Sequence, residues 1–387
     1  MIRFLVSTLN FLQTRAWIRY FGVRESRRIA FQDKGWKNSE GRPGPTTWFH
    51  ASSLGELEML IPLIEDFHSR GLYVGVSAFS DSALSGLKKM SGICVYSGLS
   101  PSESDWAALF EQFKVERVVL SKYDAWPGLV LAASDLGIPM MMVNAELRSS
   151  IRVLHSLFRL SFCRFPDFYF FANQESMVHE LQEFLPEAKV KRGVDPRFER
   201  VARRLRSERN PRLQEWSKKI SELEGEVGIV GSAWLEDLWV LVPGFKRFPG
   251  SLVVVPHDLT APNLKRIHDY LENEIPGRYI VVNEMGLLTE LYAEGDWAWV
   301  GGGFGKGIHS TLEPALSGIP VASGPKNFER FSETRELVDL GVLTCCHDRL
   351  ELESWLARRN GDVLTEVFLE QKHKQYQALL EDCLVIR

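Results

Sequence analysis

Short apolar runs separated by helical stretches recur along this chain, and that alternation narrows its fold more than any other feature. "TTWFHA" (46–51) leads into a helical stretch from about Leu54 to Arg70 and then "LYVGVSA" (72–78). "ERVVLSK" (116–122) precedes the helical "PGLVLAASDLG" (127–137) and the run "IPMMMVNA" (138–145), and "DFYFFAN" (167–173) and "VKRG" (190–193) continue the series. Between Glu199 and Gly225 the chain turns charged and helical. A second set then begins with "GEVGIVGSA" (225–233), "SLVVVPHD" (251–258), "RYIVVNE" (278–284), "DWAWVGGG" (296–303) and "IPVASGP" (319–325). Runs of this kind predict parallel sheets with crossover helices, an α/β chain of two Rossmann-like halves joined near residue 200. At 387 residues and 45% hydrophobic, the chain has enough material for two such cores.

The "GRPGP" stretch (41–45) reads as a linker, which sets the expected organisation: a segment 1–40, a domain 41–200 and a domain 201–387 whose last helix could pack back on the first domain. Over the chain's first thirty residues Arg3, Arg15, Arg19, Arg24, Arg27 and Arg28 face a single acid, Glu25. Apolar residues at Ile2, Leu5, Leu9, Leu12, Ala16, Tyr20 and Val23 step by three or four, which marks one helix face. The stretch is too interrupted to span a bilayer, which takes about 20 predominantly apolar residues. An arginine-rich amphipathic helix bearing Phe4, Phe11 and Trp17 suits an anionic membrane surface, the plainer alternative being a dock on the protein itself. A net charge of -4 argues against a protein that coats nucleic acid. Five cysteines without CxxC spacing imply a reduced, cytosolic chain with no zinc site, Cys345 and Cys346 being strand-end thiols.

Open parallel sheets bind ligands at the carboxyl ends of their strands, so the residues just after each run carry the functional information. In the second half, "WVGGGFGKGIHSTLEP" places Gly301, Gly302, Gly303, Gly305 and Gly307 before a helix expected to begin near Ser310. Glycines let backbone amides approach a ligand, and a helix start directs N–H groups and positive dipole at an anion. The pattern is neither a Walker A loop nor a dinucleotide fingerprint. Ser310-x-x-Glu313 matches a capping box, and Glu313 could equally accept hydrogen bonds from a ribose. Lys306 and His309 could donate to a phosphate or a sugar carboxylate, or Lys306 could simply be solvated. Gly231-Ser232 and Pro256-His257 end two further strands on the same side, with Ser232 also readable as an N-cap.

The first half poses a similar choice. In "HASSLGELEML" (50–60), Ser53-x-x-Glu56 also satisfies the capping-box pattern, so spacing alone does not separate a cap from a base. His50 and Glu56 flank a glycine-containing turn after a core strand, which favours chemistry. Asp124 in "KYDAWPG" follows another strand and reads as a turn former or a second carboxylate, and Arg197 in "DPRFER" as a surface or a site cation.

These segments are familiar in combination. "WFHASSLGELEMLIPLI" resembles the H-A-x-S-x-G-E signature of the bacterial Kdo transferases, which move 3-deoxy-D-manno-octulosonic acid (Kdo) from CMP-Kdo to the lipid A precursor. "KYDAWPGL", "GIPMMMVNAELRSS", "FFANQESMVHEL", "VKRGVDPRFER" and the run 283–325 are similar to later family segments, in the same order. Lys122 stands where many members have glutamate, Glu146 where they have arginine, and His257-Asp258 where they have Arg-His; "VDPRF" is one residue longer before its arginine. The resemblance implies a GT-B glycosyltransferase: two Rossmann-like domains facing an interdomain cleft, acceptor on the first and CMP-sugar on the second. It implies an inverting transfer with Glu56 as general base and Asp124 and Arg197 in support. The donor contacts implied are Ser232, Pro256, His257, Met285, Gly286, Leu287, Gly303, Lys306, His309, Ser310, Thr311, Leu312 and Glu313. It also implies attachment to the cytoplasmic face of the inner membrane. With no DxD motif, no metal or other cofactor is expected; CMP-Kdo, the lipid A precursor and the membrane surface are the expected partners. Two other readings remain open: a GT-B enzyme using another nucleotide sugar and a soluble acceptor, or a non-catalytic relative that binds nucleotide or lipid.

Overall fold

The computed structural model describes residues 44–101, 105–122, 124–160, 167–207, 210–328, 332–358, 363–364 and 366–386. The expected amphipathic segment 1–40 lies outside the described residues. The chain divides into two compact units, one of residues 1–200 with 372–387 and one of residues 201–371.

The first unit holds a seven-stranded parallel sheet. In chain order its strands are β1 (Thr46–Ala51), β2 (Tyr73–Ala78), β3 (Tyr96–Leu99), β4 (Val115–Ser121), β5 (Met140–Val143), β6 (Phe168–Ala172) and β7 (Lys189–Arg192), and in space they run β3-β2-β1-β4-β5-β6-β7. The second unit has β8 (Val227–Ala233), β9 (Ser251–Pro256), β10 (Tyr279–Val281), β11 (Trp297–Val300), β12 (Val321–Ser323) and β13 (Leu343–Cys345), ordered β10-β9-β8-β11-β12-β13. Every pairing in both sheets is parallel. The order reverses between β1 and β4 in one sheet and between β8 and β11 in the other. At such a reversal the helices leave on opposite faces and a crevice opens beyond the strand ends. Two parallel Rossmann-like sheets in one chain make up the GT-B architecture expected from the sequence.

Each sheet is built around tryptophan on glycine. The ring of Trp48, on β1, lies where a Cβ on Gly75 of β2 would stand, and the Trp297 ring does the same to Gly228 across β11 and β8. A parallel sheet is covered on both faces, so its central strands are apolar throughout, as the Met140–Val143 run with all four residues buried illustrates. The expected series omitted β3 and marked β13 only through the strand-end thiols Cys345 and Cys346. Both are edge strands of three or four residues, "YSGL" and "LTC", with no apolar run to mark them.

The closing helix Glu366–Val385 belongs to the first unit from Lys372 onward. It buries Tyr376, Leu379, Leu380 and Cys383, and Tyr376 Oη donates to Asp66 Oδ2 at 2.7 Å. Its end is held by Arg117 of β4, whose Nη1 donates to the carbonyls of Cys383 (3.1 Å) and Leu384 (2.7 Å). A guanidinium at a helix C-terminus satisfies carbonyls that lack intrahelical partners and meets the negative end of the dipole. Arg117 is only 5% exposed, so its charge depends on those carbonyls. Arg117→Met is expected to cost about 2–3 kcal/mol, the range for hydrogen bonds to a buried charge. In hydrogen exchange, amides of 376–384 should lose protection before those of β5 and β6.

Candidate functional site

In the first unit the candidate residues gather at the reversal of strand order. β1 ends at Ala51 and the next helix starts at Leu54, leaving Ser52 and Ser53 as the corner. Ser53 takes the N-cap position, but its side chain makes no capping hydrogen bond, so the Ser53–Glu56 capping box is incomplete. The amides of Ser53 and Glu56 favour the glutamate's charged form, while Glu56 Oε2 is buried without a hydrogen-bond partner among the described residues. Burial pushes the Glu56 carboxyl above its ordinary range, and the charges of Lys122 and Arg197 pull against that.

Asp124, beyond the end of β4, is 3% exposed. Its Oδ2 accepts from the Ser52 amide at 2.7 Å and its Oδ1 from the Ser52 hydroxyl at 2.5 Å. Trp126 Nε1 donates to the same hydroxyl oxygen at 3.0 Å. Burial, and then the neighbouring charge of Glu56, push the Asp124 carboxyl well up, against Ser52 and Lys122. Two adjacent carboxyls that both resist ionisation titrate as a pair. Both oxygens of Asp124 are engaged in joining the β4 corner to the β1 corner, whereas Glu56 keeps one oxygen free.

Two cations serve this pair. Lys122 sits in the left-handed region at φ 53°, its amide on the Val143 carbonyl (2.9 Å) and its carbonyl taking the Glu146 amide (3.0 Å). Arg197 opens the helix Arg197–Arg206 and lies against Asp195, with Nη2 at 2.5 Å from Oδ2 and Nε at 3.1 Å from both oxygens. Asn144 Nδ2 donates to Asp195 Oδ2 at 2.9 Å. Burial works to raise the Asp195 carboxyl, but the Arg197 charge and hydrogen bond, with Lys122, outweigh it and hold it below the ordinary range. The structure thus joins Glu56, Asp124 and Arg197 in one cluster and adds Lys122, Asp195, Asn144 and Ser52, none of which were candidates from sequence. Asp195 was the most findable, a strand-end carboxylate two residues from the named arginine. His50 leaves the chemistry: its Nδ1 pairs with Ser77 Oγ at 3.0 Å, its ring packs edge-on to Trp106, and burial brings its pKa down to about 3.

In the second unit the named residues surround the ends of β8, β9 and β11. Ser232 adopts φ 51° at the bulge where the β8–β9 register shifts. Pro256 ends β9 and is buried, and His257 follows it exposed. Asp237, in the first turn of the helix Leu235–Phe245, is wholly buried. It accepts from the amides of Gly302 (2.6 Å), Phe304 (3.2 Å) and Trp234 (3.1 Å). Burial raises its carboxyl against those three amides.

That carboxylate changes the expected reading of the glycine turn. The amides of Gly301, Gly302, Phe304, Gly305, Gly307, Ile308 and His309 all have partners inside the fold. Gly303 is needed for packing, since a Cβ there would strike the backbone of Gly324. The helix expected to begin at Ser310 begins at Leu312, with Thr311 as N-cap and Ser310 exposed outside it. The Ser310–Glu313 capping box therefore does not form. Pro314 has no N–H, so the amides of Thr311, Leu312 and Glu313 are what this end presents. Thr311 Oγ1 is buried and has no partner among the described residues.

The short helix Leu288–Tyr292 packs beneath β8: Leu288 Cδ1 and Tyr292 Oη crowd Gly231, which has room for no Cβ. Burial, with the Glu313 charge, raises the Tyr292 phenol. Ahead of that helix, Met285 is 71% exposed, Gly286 has φ 86°, and the Leu287 side chain is fully buried, so Leu287 can offer a ligand only its backbone. Trp234 stacks on His257 (4.8 Å between centroids), His257 stacks on His309 (4.4 Å), and Lys306 Nζ lies 4.0 Å from the Trp234 ring centre. The sequence reading did not include Trp234 or Asp237, because "AWLEDLWVL" looks like the start of any amphipathic helix.

Comparison with known proteins assigns these clusters a context. A family profile described as "3-Deoxy-D-manno-octulosonic-acid transferase (kdotransferase)" matches residues 24–199, the stretch that carries Glu56, Asp124 and Arg197. The 3-deoxy-D-manno-octulosonic acid transferase of Aquifex aeolicus is 26% identical over 315 residues, 76% of this chain and 79% of the relative. The transferase of the same name from Chlamydophila psittaci is 24% identical over 80% of this chain and 76% of its own length. The chain is similar to the Kdo transferases over most of its length. Among solved structures, a glycosyltransferase of Rickettsia africae matches at TM-score 0.58 and 12% identity over 89% of this chain and 97% of its own. Anabaena HepE, in complex with UDP, matches at TM-score 0.58 and 14% identity over 87% and 99%. These two likenesses concern the fold.

At the Glu56–Asp124 cluster, Lys122→Met has an effect of known sign. Lys122 lowers the pKa of both Glu56 and Asp124, so its removal should raise both titration midpoints further, as read from side-chain carboxyl ¹³C shifts against pH.

Proposed function

We propose that the chain transfers Kdo from CMP-Kdo to the lipid A precursor by a single inverting displacement. The observation that carries the proposal is Glu56: a carboxylate at the reversal of strand order, with one buried unpartnered oxygen and a raised pKa, in the segment that matches the Kdo transferases. A base at this position takes the proton from the attacking acceptor hydroxyl as the bond to the anomeric carbon forms and CMP leaves. Its raised pKa brings it nearer to the operating pH, where a general base is most effective. Asp124 keeps the corner that carries Glu56 in place, and Lys122 and Arg197 temper the charge of the pair.

The second unit supplies the donor seat. The amides of Thr311, Leu312 and Glu313, together with Lys306 and His309, receive the charge that develops on the leaving phosphate, which is the usual use of fixed donors and cations in group transfer. No metal is required in this scheme, so turnover should withstand a chelator. The arginine-rich face of residues 1–40 would hold the chain at the cytoplasmic face of the inner membrane, beside a lipid acceptor. Among the described residues no helix is long and apolar enough to cross a membrane.

The test is incubation of the purified protein with a tetraacylated lipid A precursor and CMP-Kdo generated in situ, with the product read by mass. A mass gain in Kdo units supports the proposal; transfer from another nucleotide sugar alone rejects it. Glu56→Gln should fold normally and lose about 10²–10⁴-fold in turnover, the usual contribution of a general base. In the wild type, kcat/KM should fall as acid protonates Glu56, with the midpoint above the ordinary carboxylate range because its pKa is raised.

A further inference from the structure

We propose that Trp234 is a positioning residue that fixes His309 as the neutral Nδ1–H tautomer and turns that N–H outward as a donor to an anionic oxygen. This inference rests on the donor reading given above only for the identity of the anion.

The geometry defines both edges of the imidazole ring. Trp234 Nε1 lies 3.2 Å from His309 Nε2. An indole N–H can only donate, so His309 Nε2 must accept, and a neutral ring accepting there carries its proton on Nδ1. The Cδ2 atom beside Nε2 faces Gly302, where an added Cβ would stand 3.2 Å away. The Nε2–Cδ2 edge is therefore packed against the fold, and Nδ1, across Cγ from Cδ2, lies on the other edge. Among the described residues His309 Nδ1 has no hydrogen-bond partner.

The surroundings hold the ring in that state. His257 stacks on His309 at 4.4 Å and on Trp234 at 4.8 Å, so the indole and both imidazoles form one packed group. Burial, followed by the nearby His257, lowers the His309 pKa to about 4. The ionisable groups around this cluster include Lys306, over the Trp234 ring, Asp258, beside His257, Asp237, which is bound to the Trp234 amide, Glu236, beside Gly305, and Lys326, whose amine meets the Gly305 carbonyl. Lys306 also disfavours protonation of His257. The anion is thus met by one full positive charge, on Lys306, and one oriented neutral N–H. The turn below is fixed by the same segment, because Asp237 binds Gly302 and Phe304 three residues after Trp234.

The shared chemistry is an anionic oxygen, either a nucleotide phosphate or a sugar carboxylate. The test is ¹⁵N-imidazole NMR of the full chain, with the His309 signals assigned by their loss in His309→Gln. In the wild type, His309 should show protonated Nδ1 and bare Nε2 throughout the neutral range. Protonated Nε2 at neutral pH overturns the proposal without any variant. Trp234→Phe keeps an aromatic ring and removes only the N–H. It should populate both tautomers, raise the His309 midpoint and lower kcat/KM for the donor by about tenfold, roughly 1.4 kcal/mol. An unchanged tautomer and kcat/KM in a folded Trp234→Phe protein also overturns it. CMP and free Kdo are added separately, and movement of the Nδ1 signal by one of them identifies the oxygen. If the tautomer behaves as stated and neither ligand moves the signal, the donor reading fails while the Trp234–His309 assignment holds.

Discussion

Each sheet of this chain reverses its strand order once, and one buried aspartate ties together the two corners that the reversal drives apart. Beyond β1 and β4, Asp124 takes both the amide and the hydroxyl of Ser52. Beyond β8 and β11, Asp237 takes the amides of Gly302 and Phe304. Both carboxyls are dry and both are pushed up by burial, so each is tolerated only because the backbone donors it meets cannot move away. The consequences differ between the units. Asp124 leaves Glu56 beside it with a free oxygen, and Asp237 sets the loop from which Lys306 and His309 project.

Backbone conformation at these corners is costly in the same places. Lys122, Asn144 and Ser232 are non-glycine residues at positive φ, and each stands at the carboxyl end of a strand. Such conformations cost on the order of 1–3 kcal/mol and persist where surrounding bonds over-determine them. Lys122 is pinned by the Val143 carbonyl and the Glu146 amide, and Asn144 by its side-chain bond to Asp195. At these three positions the strain falls in or beside the two clusters, where it sets the direction of a cation or of an arginine's partner.

The alternation of apolar runs was enough to read two parallel α/β halves, because a strand covered on both faces cannot be polar. It was not enough for β3 and β13, which pair on one side only and carry no apolar run. The family resemblance singled out Arg197, and the strand-end rule located Glu56, Asp124 and the glycine turn. It could not say which amides of that turn were already engaged, since the answer lies in a carboxylate at Asp237 far away in sequence. Ser53-x-x-Glu56 and Ser310-x-x-Glu313 look alike as letters, and neither Ser makes the cap. Ser310 lies outside a helix that starts at Leu312, whereas Ser53 holds the N-cap position and its hydroxyl still makes no capping bond; spacing encodes neither outcome.

The return of the closing helix to the first sheet sets an order on biosynthesis. Arg117 and Asp66 wait for partners at residues 376–384, which leave the ribosome only after all of the second unit's strands. A nascent chain carrying the whole first sheet therefore still has an uncovered flank and a buried-to-be guanidinium in water. Domains usually mature in the order of their synthesis; here the amino-terminal one is completed last.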